Sequence, residues 1–365
     1  MARTMSRGPL LAAILYLAGT SAAEAHVKWF LGRNEAEILS QPKPELFTHL
    51  CADNVIPIGC ALVLLCVTIA IGRHFKNCKF NKSLKDLCLK FEPSINLFMR
   101  LCMGLFLVYC AASRTLLAPN LIICAHCPQW LPYAEYFAGL SILFGVFSRV
   151  GALVLLGLFG FTFVKHTLAD CLDLLPVYGP AIYFALAGGG RYSVDARFSF
   201  DIEPSPEAVQ LGHLVVRTFT GVGLIVLALD EKLLHPQLAL ALLKHAPALN
   251  FLAGMHVPDE KFVLYIGLCE LLLGFVILVG SLPRLAVLAL VSVFAVTTIM
   301  FGTTELFGHM PYYAVIASIL IYGAGNAPAL DVLRRSSALL IVAWRTTLVK
   351  WPFRQVPIVK IGAWR

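Results

Sequence analysis

Charge is the scarcest property of this chain. Only 14% of its 365 residues are Asp, Glu, Lys or Arg, against about 25% in a soluble domain. A soluble fold of this length has no polar surface to draw on here. The phosphate-cradling Walker loop, the dinucleotide-binding glycine fingerprint, the HExxH helix of zinc proteases and the CxxCH haem-attachment site are also missing. Coupling to ATP and covalent haem are therefore unsupported. The weakly alternating segments of about 10 residues that mark a transmembrane barrel are missing too. The net charge of +8 does not point to nucleic acid, because it gathers in a few segments between apolar runs.

Those apolar runs dominate what is present. Hydrophobic residues make up 59% of the chain, and several runs approach or exceed the roughly 18–20 residues that cross a bilayer. The expectation is an all-α, polytopic transmembrane helical bundle in contact with lipid. Residues 1–25 read as a secretory signal, with Arg3 and Arg7 before a short apolar core and Ala23-Glu24-Ala25 at the cleavage site. A polar segment (26–52) and a first span (53–73) follow. The basic loop 74–94 then carries Lys76, Lys79, Lys82, Lys85 and Lys90. By the positive-inside rule this loop and the basic tail 329–365 are cytoplasmic, and the N-terminus lies outside the inner membrane.

The rest reads as one blueprint used twice. At an offset of 135, Glu135 falls on Glu270, Gly145 on Gly280, Arg149 on Arg284 and Tyr178 on Tyr313. At an offset of 117, Arg100 falls on Arg217 and Gly104 on Gly221. The expectation is two four-helix units of like orientation, 95–192 and 213–328, joined by a cytoplasmic linker (193–212). With the leading helix this makes about nine spans. The extra residues in the second unit, within QLALALLKHAPALNFLAGMHVPDEK, form an amphipathic insert, an outer lid or a plain loop helix.

The candidate functional residues lie mostly toward the outer side. Glu135 and Glu270 are acids inside apolar helices, and such a group marks a functional site or a buried interhelical hydrogen bond. Cys124 and Cys127 form a single C-x-x-C. It can cycle between dithiol and disulfide, hold a soft metal with His126, or stand as a static disulfide. Cys51 and Cys171 are further pairing candidates. Glu231, Glu305 and His309 add carboxylates and an imidazole near the same level, and Glu305 and His309 share a face if their helix continues that far. Arg100 and Arg217 either anchor to lipid phosphate or bind a carboxylate or quinone oxygen. Cleavage after Ala25 would free the α-amine of His26, an amine–imidazole pair able to chelate copper.

The stretches VVRTFTGVGLIVLALDEKLLHP, CELLLGFVILVGSLPRLAVLAL and FGTTELFGHMPYYAVIASILIYGAG resemble the DoxX-like membrane family. Its relatives include DoxD, the small membrane subunit of thiosulfate:quinone oxidoreductase. The resemblance covers about two-thirds of the chain. It implies a bacterial cytoplasmic-membrane protein tied to sulfur, thiol or quinone redox. Together with the C-x-x-C and the buried acids, the leading expectation is electron passage between a thiol or sulfur donor and membrane quinone, with a periplasmic redox or metal-carrying partner. The tandem units, the signal and the CAHC sequence depart from the family's single-unit pattern. Two other readings stay open: a copper-handling protein without enzymatic activity, and a membrane scaffold.

Overall fold

The computed structural model describes residues 27–28, 34–49, 51–75, 78–123, 126–198 and 203–324. The expected signal (1–25), His26, Cys124 and the tail 329–365 lie outside them. Among the described residues there is no β-strand, only an isolated antiparallel bridge between Thr115 and Ile122.

Sixteen α-helices follow one another in the described residues. Two short ones, α1 (Glu35–Leu39) and α2 (Glu45–Thr48), precede α3 (Ala52–Phe75) and the amphipathic α4 (Lys79–Leu89). The first set of packed helices is α5 (Glu92–Ala112), α6 (Leu131–Phe144), α7 (Ser148–Lys165), α8 (Leu168–Asp173) and α9 (Leu175–Ala187). A short α10 (Val194–Arg197) leads to the second set. That set is α11 (Pro206–Ala228), α12 (Pro236–His245), α13 (Asp259–Val279), α14 (Pro283–Phe301), α15 (Thr303–Gly308) and α16 (Met310–Tyr322).

Local chemistry sets these boundaries. Ser205 caps α11 by accepting the Ala208 N–H at 3.2 Å, with Pro206 filling the first turn where no backbone donor is needed. Both α6 and α13 stop at a left-handed glycine, Gly145 (φ 68°) and Gly280 (φ 73°), a conformation that costs a residue with a Cβ.

Among the described residues six helices are long and apolar enough to cross a membrane: Ala52–Gly72, Glu92–Ala112, Ser148–Lys165, Pro206–Leu234, Asp259–Val279 and Pro283–Met300. This is a helical membrane protein. The other three expected spans fall on α6, α9 and α16, of 14, 13 and 13 residues. At 1.5 Å per residue they reach only about 20 Å, short of the roughly 30 Å hydrocarbon core. α9 and α16 are short because a separate turn of helix, α8 or α15, takes up the residues before them.

In each set the first long helix packs on the next, α5 on α6 and α11 on α13. The ring closes crosswise, with α9 against α11 and α16 against α5. Glycine permits the tightest approaches. A Cβ on Gly104 would lie 2.8 Å from Leu143 N, and one on Gly221 would lie 2.8 Å from Leu278 N. The leading helix α3 packs on α13 and keeps most of its apolar surface outward. The stretch after the π-helical end of α11 supplies α12, whose Leu238, Leu242 and Leu243 pack with Val27, Ile38 and Phe262. It covers the N-terminal segment.

Candidate functional site: a buried charge network

The first link in the network is a widened turn. α11 runs into a π-helical turn, Leu229–Leu234, whose sequence LDEKLL sets Asp230, Glu231 and Lys232 side by side. Such turns recur at functional positions because they re-aim consecutive side chains. Against this turn lies α8. Its start is a capping box: Thr167 Oγ1 accepts the Asp170 N–H at 3.2 Å, and Asp170 Oδ2 accepts the Thr167 N–H at 3.3 Å. The box fixes Asp170 and leaves its Oδ1 free to face inward.

Lys28, from the N-terminal segment, enters between these elements. Its Nζ lies 2.6 Å from Asp230 Oδ2, 3.1 Å from Asp170 Oδ1, 3.7 Å from Glu35 and 4.0 Å from Asp173. Its backbone N–H donates to Glu231 Oε1 at 3.4 Å. On the far side of Glu231, Lys232 Nζ lies 3.8 Å from Glu231 and 2.8 Å from Glu270 Oε2. His235 Nδ1 meets Asp230 Oδ1 at 3.1 Å. Six carboxylates therefore share two ammonium groups, and Glu231 bridges them at 1% exposure.

The charges act on one another as Coulomb's law requires in a poorly hydrated site. Burial alone would lower the Lys28 pKa, but the hydrogen bond it donates to Asp230 and the charges of Asp173 and Asp170 raise it above the usual lysine value. Burial would raise Asp170, yet Thr167 and Lys28 hold it below the ordinary carboxylate value. Asp173 goes the other way, pushed well above that value by burial and then by the charge of Glu231. Its Oδ1 is buried without a hydrogen bond.

The sequence-derived candidates separate into four places. Glu231 and Glu270 belong to the network. Glu135 does not: fully buried, it accepts the backbone N–H of Leu117 at 2.8 Å. Leu117 has a left-handed backbone (φ 63°), so Glu135 pins the loop that leads to the cysteines. Its second oxygen is buried without a hydrogen bond. Glu305 and His309 form a third place. α15 and α16 run on closely enough that His309 Nδ1 lies 3.2 Å from Glu305 Oε1, both buried, with the imidazole stacked on Phe294.

The fourth place is the opposite end of the bundle. Arg100 donates to Gly189 O and Tyr192 O, both at 3.1 Å, and Arg217 donates to Ile277 O at 2.8 Å and Leu278 O at 2.7 Å. Each is 2% exposed and held within the bundle by these carbonyls. They neutralise the carbonyl-rich helix ends beside Gly145 and Gly280.

Cys127 takes part in a disulfide, and His126 beside it is exposed. Cys51 and Cys171, candidates for pairing with each other or with the CAHC cysteines, are free thiols, one exposed and one buried. Among the described residues no three His, Cys, Asp or Glu side chains are grouped to hold a metal ion.

Sequence reasoning singled out Glu231 and Glu270 but missed Lys28, Glu35 and Asp173. The signal was a lysine three residues beyond a signal-like cleavage site, in a chain with few charges, facing acids that cluster at helix ends. Compared with family models, with curated proteins and with solved structures, the chain matches none.

Proposed function

We propose that this chain is the membrane component of a redox system facing the outer compartment, passing electrons from a thiol or sulfur compound to membrane quinone. Cys124 and Cys127 are the exchange pair. The donor's two thiols reduce the disulfide and leave as a disulfide themselves. The resulting dithiol returns two electrons and two protons to quinone, which becomes quinol. The observation that carries this reading is the oxidised state of Cys127 in a loop that Glu135 holds from within the bundle. A buried carboxyl with one unpaired oxygen is a group able to take up and release a proton.

The architecture proposed with it is two DoxX-like units of like orientation after a leading helix. Contacts at matching offsets support it. Tyr183 donates to Asn96, and His213 meets Ser318 at 2.8 Å, the residues that the offsets of 117 and 135 pair. Gly104 against Leu143 and Gly221 against Leu278 correspond in the same way. So do α8 and α15, Leu168–Asp173 and Thr303–Gly308.

The test is reduction of a soluble quinone by thiosulfate or a dithiol, catalysed by purified full-length protein. Turnover is expected and should vanish in Cys127→Ala. Absence of turnover in the natural protein, or equal turnover in the variant, overturns the reading.

A further inference from the structure

A cleft of about 910 Å³ opens at the end of the bundle away from the charge network. Its walls are the start of α11, the Gly280–Leu285 turn, the end of α16 and one face of α4. Three cations reach it: Lys85, Arg217 and Arg284. Two of them are buried, Arg217 at 2% and Arg284 at 9% exposure.

Neither buried guanidinium has a carboxylate partner among the described residues. Arg217 spends Nη1 on the carbonyls of Ile277 and Leu278, and Arg284 spends Nε and Nη2 on those of Leu320 and Ile321. Among the described residues, no hydrogen bond reaches Arg217 Nη2 or Arg284 Nη1. His213, a third polar wall residue, gives Nδ1 to Ser318 and keeps a buried Nε2 without a partner. The two acids on the cleft, Glu92 and Glu207, are exposed. Two buried positive charges with spare donors and no counter-ion are costly, and a phosphate is the group their geometry suits.

The remaining wall is apolar, with Phe75, Leu89, Leu214, Leu282 and Ile321 among its residues. A small soluble anion would leave that surface bare. A molecule with both a phosphate and a hydrocarbon chain covers both kinds of wall, and the surrounding bilayer is made of such molecules. We propose that this cleft binds an anionic phospholipid, its phosphate between Arg217 and Arg284 and an acyl chain along the apolar wall. The exposed Lys85 on α4 attracts the headgroup. This site is independent of the redox reading.

The experiment is native mass spectrometry and thermal unfolding of the full chain in nonionic detergent. The probes are phosphatidylglycerol, phosphatidylcholine with the same chains, and inorganic phosphate. Phosphatidylglycerol alone is expected to stay bound and raise the unfolding midpoint. Lys85→Gln should weaken it about fivefold and Glu207→Lys should tighten it by about the same factor. Both positions are exposed, so both variants are expected to fold. Equal retention of the two lipids, or no change in either variant, overturns the proposal. A midpoint raised as far by inorganic phosphate as by phosphatidylglycerol also overturns it, in favour of a soluble anion.

Discussion

The Lys28 ammonium lies 2.6 Å from Asp230 Oδ2 and 3.1 Å from Asp170 Oδ1, so one N-terminal side chain ties the α8 segment to the end of α11. Replacing it with methionine leaves Asp170, Asp173, Asp230 and Glu35 without their shared cation. Breaking a buried pair on one side costs about 3–5 kcal/mol. Lys28→Met is expected to lower stability by that order at pH 7 and to open the N-terminal segment to protease. Thermal unfolding and limited proteolysis of the two proteins would check this.

Asp170 and Asp173 sit three residues apart and should respond to pH with opposite signs. Asp170 has a depressed native pKa, so its contribution is present above the ordinary aspartate value and lost as pH falls through the native one. Asp173 has a raised native pKa, so its contribution is present below the ordinary value and lost as pH rises through the native one. Asp173→Asn should therefore stabilise the protein at pH 7, on the order of 1 kcal/mol, and give no gain near pH 3. Asp170→Asn should destabilise it at pH 7 and converge with the natural protein in acid. Unfolding midpoints across pH read both.

Glu135 separates an acceptor role from a proton-carrying one. Glu135→Gln keeps an oxygen for the Leu117 N–H, and stability should change little. Glu135→Leu strands that donor at a left-handed position and should cost about 1–3 kcal/mol. Unfolding measurements on both give the structural answer. If Glu135 also carries the proton, the glutamine variant folds but loses quinone turnover.

Helix approach predicts a contrast between glycines. Gly221→Ala places a methyl 2.8 Å from Leu278 N and 2.9 Å from Gly274 O, backbone that cannot swing aside. It is expected to cost about 1–3 kcal/mol through overpacking. Gly157, with nothing within 4 Å of an added Cβ, should tolerate alanine or gain from it. Unfolding of the two variants side by side tests this.

Helical character was legible in the sequence because apolar run length is a one-dimensional property. The short helices were not, since the break between α7 and α8 depends on the capping box at Thr167, and that between α14 and α15 on the left-handed Gly302, rather than on hydropathy. The acids Glu231 and Glu270 stood out against apolar neighbours. Their cations did not. Lys232 reads as an ordinary helix-end lysine, and Lys28 reaches Glu231 across 203 positions of chain, a proximity no local pattern records. Glu135 and Glu270 match at an offset of 135 but hold different partners, because Arg114-Thr115 stands where the offset of 117 puts Glu231-Lys232.

The redox account turns on whether the Cys127 disulfide follows the quinone pool. Alkylation of thiols in intact membranes, with the pool poised oxidised or reduced, measures this directly. The account predicts Cys127 blocked when quinone is oxidised and alkylated when quinol predominates and a thiol donor is present. A Cys127 that stays disulfide-bonded under both conditions would contradict it and leave a static structural bond.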